Sequence, residues 1–326
     1  MSPTHLINRV TILGTGLIGG SFALALRKYT EGIHITAWDR PDTATRAKEL
    51  GAADEIFSGE LRPAIQSADL IYVALPIGTT LDVLPEIARH SRQHALVTDA
   101  CSTKVRIVHA AEELFPRNGE KLFLGGHPMA GKESSGIANA DANLFRDTTY
   151  ALIGDSSSHV QDEVTNDEVA PQSSLAGDPS PSAPARRTPT RVPKEDPRVA
   201  AFLKIIGKIG ARPLWLGAQQ HDYAVGLASH LPQLAAVALA SFLYDHLDEN
   251  GLPIALAGPG LRDSLRLAGS PYSTWRDIVL TNREVLSAGL DLFARRLDEL
   301  RDKLASRELE ADFDAANELY KLLRSF

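Results

Sequence analysis

The chain has 326 residues, 44% of them apolar and 23% charged, which is enough for two domains that each bury a core. Its formal charge of −7, with no long basic run, argues against a nucleic-acid or anionic-membrane partner. A single cysteine, Cys101, excludes an intrachain disulfide, and the N-terminus lacks the charged-then-apolar pattern of a secretory signal, so a soluble cytoplasmic protein is expected.

In chain order, residues 9–13 read as a strand, 19–28 as a helix, 34–38 as a strand and 43–50 as a helix. A strand at 70–74, a helix at 80–90 and a strand at 95–98 follow, with further strands at 122–125 and 150–153. Short apolar runs spaced by helical patterns indicate βαβ units, so the fold class is α/β, with a Rossmann-type parallel-sheet domain over 1–154. Residues 155–196 turn to Ser, Pro, Asp and Glu with almost no large apolar side chain. Such a segment buries too little surface to offset its ordering entropy and reads as a disordered insertion. A helix at 198–209 and an edge strand at 213–216 come next. After them the patterns are helical: a long helix around Pro232, short pieces near Leu261 and Tyr272, then 282–306 and 308–323. Residues 197–326 are therefore expected to form an all-α C-terminal domain that dimerises. The apolar run 224–243 is interrupted by Ser229, His230, Pro232 and Gln233, which reads as burial in protein, not lipid.

The first strand runs directly into Gly14-Thr15-Gly16-Leu17-Ile18-Gly19, a G-x-G-x-x-G run that also opens a helix, as a dinucleotide site requires. Gly14 permits the tight turn, Gly16 lets a pyrophosphate approach the backbone, and Gly19 lets helix and strand pack closely. Asp39 follows Gly19 by twenty residues, at the end of the second strand. A carboxylate there accepts from the adenosine ribose and repels a 2′-phosphate, favouring NAD over NADP. Arg40 beside it could hold that phosphate, so NADP stays open. No flavin-type fingerprint accompanies the motif. Leu75 and Pro76, at the carboxyl end of the third strand, are placed to wall the nicotinamide side.

Two segments at later strand ends carry chemistry: 98–104, with Ser102, and 125–133, with His127 and Glu133. A neutral imidazole at His127 can accept a hydroxyl proton during hydride loss. Ser102 is expected to hold its other ring nitrogen, or to cap a helix. No metal is expected.

Residues 14–19, 99–104, 125–131, 229–232 and 266–277 together resemble the prephenate dehydrogenase family, in family order across nearly the whole chain. The later runs, His221-Asp222-Tyr223, Ser229-His230-Leu231-Pro232, and Arg266-Leu267-Ala268-Gly269-Ser270-Pro271 with Trp275-Arg276-Asp277, are ones that ordinary Rossmann proteins lack. The resemblance implies that His127 is the catalytic histidine on the ring hydroxyl and Ser102 its orienting partner. It implies that Arg266 holds a substrate carboxylate, with Glu133, Ser229, His221 and Trp275 as further pocket residues; the homodimer expected from the long apolar C-terminal helices stands beside it. The implied reaction is hydride transfer from the hydroxyl-bearing ring carbon to NAD, followed by loss of carbon dioxide. Many family members carry histidine where this chain has Gln233, a position that lines the family's substrate pocket. Glutamine offers no positive charge, so prephenate against arogenate is left open. Nothing follows the last helix, so no appended regulatory domain is expected.

Three rival readings fit less well. A β-hydroxyacid dehydrogenase would place a catalytic lysine on the helix that begins near His221, and the sequence there has none. A non-enzymatic NAD sensor would leave the pocket histidine and arginine unexplained. A DNA-binding module lacks a basic recognition segment.

Overall fold

The computed structural model describes residues 6–115, 121–132, 134–154 and 196–325. Glu133 and all of the 155–196 insertion except Asp196 lie outside the described residues. The chain forms two compact units, Met1–Asp222 and Tyr223–Phe326.

The first unit is built on β1 (Arg9–Leu13), α1 (Leu17–Tyr29), β2 (His34–Trp38), α2 (Pro41–Glu49), β3 (Glu55–Phe57) and α3 (Arg62–Ile65). It continues with β4 (Leu70–Val73), α4 (Ile77–His90), β5 (Leu96–Asp99), α5 (Val105–Leu114) and β6 (Leu122–Leu124). Six strands form a wholly parallel sheet in the order β3-β2-β1-β4-β5-β6. The order reverses between β1 and β4, and ligands of such sheets bind beyond the carboxyl ends of the strands at that point. Every residue of β4 and β5 is buried, as expected for central strands covered on both faces. The short edge strand β3, the single turn α3 and helix α5 were not anticipated from the residue pattern. β3 has only three residues, none fully buried, and so offers no periodicity to read.

Gly125 breaks the expected strand at 122–125 and sends the chain into a second sheet, ordered β7 (Gly126–Pro128), β8 (Thr149–Ile153) and β9 (Arg212–Leu216). β7 runs antiparallel to β8, and β9 parallel to it. Between β8 and β9 in the chain lies α6 (Pro197–Lys208). Val199, Phe202, Ile205 and Ile206 of α6 are buried in one core with Phe22, Tyr72 and Tyr150. Phe22 stacks on Tyr72 with ring centroids 3.9 Å apart, and Phe202 meets Phe22 and Tyr150 edge-on. The boundary therefore falls after Asp222, not at 196 as the composition suggested. The helical period marks an apolar face but not the core it fills.

In the second unit, α7 (Ala218–Val225), across which the boundary falls, leads through a π-turn (Gly226–His230) into α8 (Leu231–Asp245). Then come α9 (Leu252–Ala255), α10 (Pro259–Leu265), a 3-10 turn (Arg266–Gly269), α11 (Tyr272–Thr281), α12 (Arg283–Asp302) and α13 (Leu309–Ser325). Gly226 is required by close packing: a Cβ there would lie 2.6 Å from a methyl of Val285 on α12. The stretch Ala218–Asp245 is long and apolar enough by length and composition to cross a membrane. His230 and Gln233 in it are buried, but only 28% of its apolar window is, so the expected burial of the run in protein is not met within the single chain.

Candidate active site

The turn between β1 and α1 has the geometry of a dinucleotide cradle. Gly14 has φ +86°, and a Cβ on it would lie 2.5 Å from the Ala74 carbonyl oxygen at the end of β4. A Cβ at Gly19 would lie 1.9 Å from the Gly14 carbonyl oxygen, so strand and helix pack with no room for a side chain. Gly16 has nothing within 4 Å on that side, leaving its backbone open to a ligand. α1 has no side-chain cap and no acidic residue in its first turn, so its N–H groups face no competing anion of its own. Asp39 ends β2 and draws the turn in: its Oδ2 accepts from Thr15 N (2.6 Å) and Thr15 Oγ1 (3.1 Å), and its Oδ1 from Arg40 N (2.7 Å). Leu17 and Ile18 open α1 and are partly buried. Leu75 adjoins the cradle, its Cδ2 lying 2.9 Å from the Cβ position of Gly14, and Pro76 is exposed as the N-cap of α4. These residues fit a dinucleotide by shape and by charge.

From this cradle, buried contacts run along the sheet edge toward His127. The Cys101 thiol lies 3.7 Å from the Leu75 carbonyl and 3.3 Å from Thr80 Oγ1. Burial, reinforced by the Asp99 charge, pushes that thiol up to about 12 and keeps it protonated. Asp99, at the end of β5, and Lys104 form an ion pair with both side chains fully buried. Asp99 also accepts from Cys101 N (3.0 Å) and Gly126 N (3.1 Å), while Lys104 Nζ donates to the Gly126 carbonyl (2.6 Å). A buried pair persists only when its remaining polar atoms are satisfied, and here they clamp the loop after β5 to the start of β7. Sequence reasoning singled out the segment but not this pair, because two charges five residues apart announce no burial.

His127 sits in the middle of β7, paired with Ala151 of β8, and not at the end of a main-sheet strand. Its Nδ1 lies 2.9 Å from Nε2 of His221, whose own Nδ1 lies 2.8 Å from Asp222 Oδ1. Asp222 is held in turn by the N–H groups of Lys104 (2.7 Å to Oδ1) and Val105 (2.9 Å to Oδ2) at the start of α5. Ser102, the expected orienting residue, is partly buried in the loop after β5. Asp222 was missed: only folding brings it to residues 104 and 105.

The other expected residues belong to the second unit. Gln233 is buried, and its amide Nε2 donates to the Leu267 carbonyl (2.8 Å), pinning the turn that begins at Arg266. His230, also buried, lies 3.2 Å from the Asn282 amide and meets Trp275 edge-on at 5.8 Å. Ser229 and Arg266 present exposed surfaces.

Comparison with known proteins matches this division. Residues 22–165 match the nucleotide-binding domain of prephenate dehydrogenase, and residues 217–324 its dimerization domain. A prephenate dehydrogenase of Lactococcus lactis subsp. cremoris is 31% identical over 307 residues, 94% of this chain and 73% of that protein. Among solved structures, prephenate dehydrogenase from A. aeolicus, in complex with hydroxyphenyl propionate and NAD+, superposes with TM-score 0.76 at 25% identity, covering 98% of each chain. The Synechocystis arogenate dehydrogenase superposes with TM-score 0.66 at 26% identity, covering 97% of this chain and 96% of that one. A Rossmann sheet whose strand order reverses between β1 and β4, a glycine cradle closed by Asp39, a partly buried histidine pair and a matching helical unit agree with these likenesses: the chain belongs to the prephenate dehydrogenase family.

Proposed function

We propose that this dehydrogenase uses NAD to convert prephenate to 4-hydroxyphenylpyruvate and carbon dioxide, a step toward tyrosine. The observation that carries the reading is a dinucleotide cradle and an imidazole, His127, at one edge of the same unit, linked by the Asp99–Lys104 clamp. Asp39 supports NAD, since its carboxylate would repel a 2′-phosphate; the relative solved with NAD+ agrees.

When bound, the cofactor supplies a nicotinamide that accepts a hydride. The residues do the rest. The cradle fixes the cofactor's diphosphate, and His127 takes the proton of the ring hydroxyl as hydride leaves the carbon that bears it. Loss of the ring carboxylate as carbon dioxide returns an electron pair to the ring, and the phenol oxygen regains a proton. Aromatisation drives the step, so positioning and charge matching are the protein's main tasks. Arg266 is assigned a substrate carboxylate, a planar group that its guanidinium matches in two parallel hydrogen bonds. Ser102, Ser229, His221, Trp275 and Glu133 are proposed as supporting residues of the pocket.

Gln233 favours a second reading, arogenate as substrate. Its amide is engaged by a backbone carbonyl and carries no positive charge to repel the ammonium that distinguishes arogenate from prephenate. The test is reduced-nicotinamide absorbance with prephenate and with arogenate, each with NAD and with NADP. Turnover of prephenate with NAD supports the whole reading, and preference for arogenate replaces the substrate alone. No turnover in any pairing, despite NAD binding, overturns it. A cytoplasmic homodimer completes the proposal, supported by the dimerization-domain match.

A further inference from the structure

We propose that His221 and Asp222 are positioning residues that set the tautomer of His127. The proposal rests on the reading of His127 as the base, and its geometry lies within the first unit. Asp222 is nearly fully buried and receives two backbone N–H groups at the start of α5, Lys104 N and Val105 N. These fix the plane of the carboxylate, and a carboxylate can only accept. The atom facing it at 2.8 Å, His221 Nδ1, must therefore carry a proton.

In the neutral imidazole only one nitrogen is protonated, so His221 Nε2 is left as an acceptor. The atom 2.9 Å from it, His127 Nδ1, must then be the donor, which puts the lone pair of His127 on Nε2. A base needs that lone pair to take a substrate proton. After proton uptake, the positive charge on His127 is stabilised through His221 by the Asp222 carboxylate. The logic is that of a carboxylate orienting a catalytic imidazole, extended by one ring. His221 is nearly fully buried and the two rings stand at 67° with centroids 5.1 Å apart, so the contact is edge-directed.

The test reads the tautomer directly, by 15N chemical shifts of the imidazole nitrogens near neutral pH. The His127 signals are identified by their loss in His127→Asn. The expected wild-type result is a protonated Nδ1 and an unprotonated Nε2, with a mixed population in Asp222→Asn. Turnover of two further variants guards against misfolding of that one. His221→Gln keeps an amide oxygen that can accept from His127 and should retain turnover within about tenfold of wild type. His221→Leu removes the acceptor and should lose on the order of 10²-fold in kcat, with NAD affinity nearly unchanged. A proton on His127 Nε2 in the wild type, or equal turnover in the Gln and Leu variants, overturns the proposal. The nitrogen shifts do not depend on turnover, so a failure of the base reading, seen as full activity in His127→Asn, is distinguishable from a failure of the tautomer.

Discussion

Each glycine of the fingerprint answers to a different atom, and single substitutions should separate their roles. Gly16 has φ −68°, which alanine adopts freely, and open space where its Cβ would stand. Gly16→Ala is therefore expected to leave the melting temperature nearly unchanged while raising the NAD dissociation constant at least about tenfold, by filling the face that admits the pyrophosphate. Gly19→Ala sets a methyl against the Gly14 carbonyl and should cost at least the ~1–3 kcal/mol of an overpacked core. Its melting temperature should fall and NAD binding should be lost; calorimetric scans and NAD titration check both. His127→Asn should bind NAD normally and lose about 10²- to 10⁴-fold in turnover, measured by steady-state kinetics. Arg266→Ala should act mainly on KM, raising it on the order of tenfold or more, as expected when a charged hydrogen bond to a carboxylate is removed. A pure turnover effect would argue against carboxylate binding. His127 and Arg266 are marked in the sequence by the motifs they stand in. The contact of His127 with His221 is not, because the two stand 94 residues apart and only folding brings them together.

At the scale of elements, the main strands β1 and β2 were read to the residue, since their apolar runs are bounded by charge and glycine. β7 was not, because its three residues, Gly-His-Pro, carry no strand signal of their own and are held by β8. Helix α6 shows how a local signal is converted into stability. Asp196 is its N-cap, accepting from Arg198 N at 2.8 Å, and it also takes the Arg198 guanidinium at 2.9 and 2.7 Å. That guanidinium holds the Asp196 carboxyl below the usual carboxylate range, against the opposing effect of burial. A carboxyl with a depressed folded-state pKa stabilises fully above its ordinary range, and the contribution is lost as pH falls through the folded value. Asp196→Ala should thus cost about 1 kcal/mol near neutrality, and the difference from wild type should narrow in acid. Urea titrations at the two pH values check it, and a gap independent of pH would mean that the charge of Asp196 contributes nothing.

At the scale of the whole molecule, the second unit leaves many large apolar side chains exposed, among them Phe242, Tyr244, Leu256, Leu304, Phe313 and Leu323. A lone soluble domain rarely exposes so much, and association is the usual reason. Sedimentation at micromolar concentration is expected to give about twice the chain mass of 35.2 kDa. A species of single-chain mass would overturn the dimer. By itself the sequence determined the fold class, the nucleotide fingerprint with its acidic partner, and the family, because each rests on short-range spacing or on motifs in fixed order. Only the tertiary structure decided three other things: that α6 and β9 belong to the sheet unit, that Asp99 and Lys104 form a buried clamp, and that Asp222 reaches His127 through His221. Each of these joins residues far apart in the chain or buries a charge. Local pattern records the type of a side chain but not the neighbours that folding brings to it.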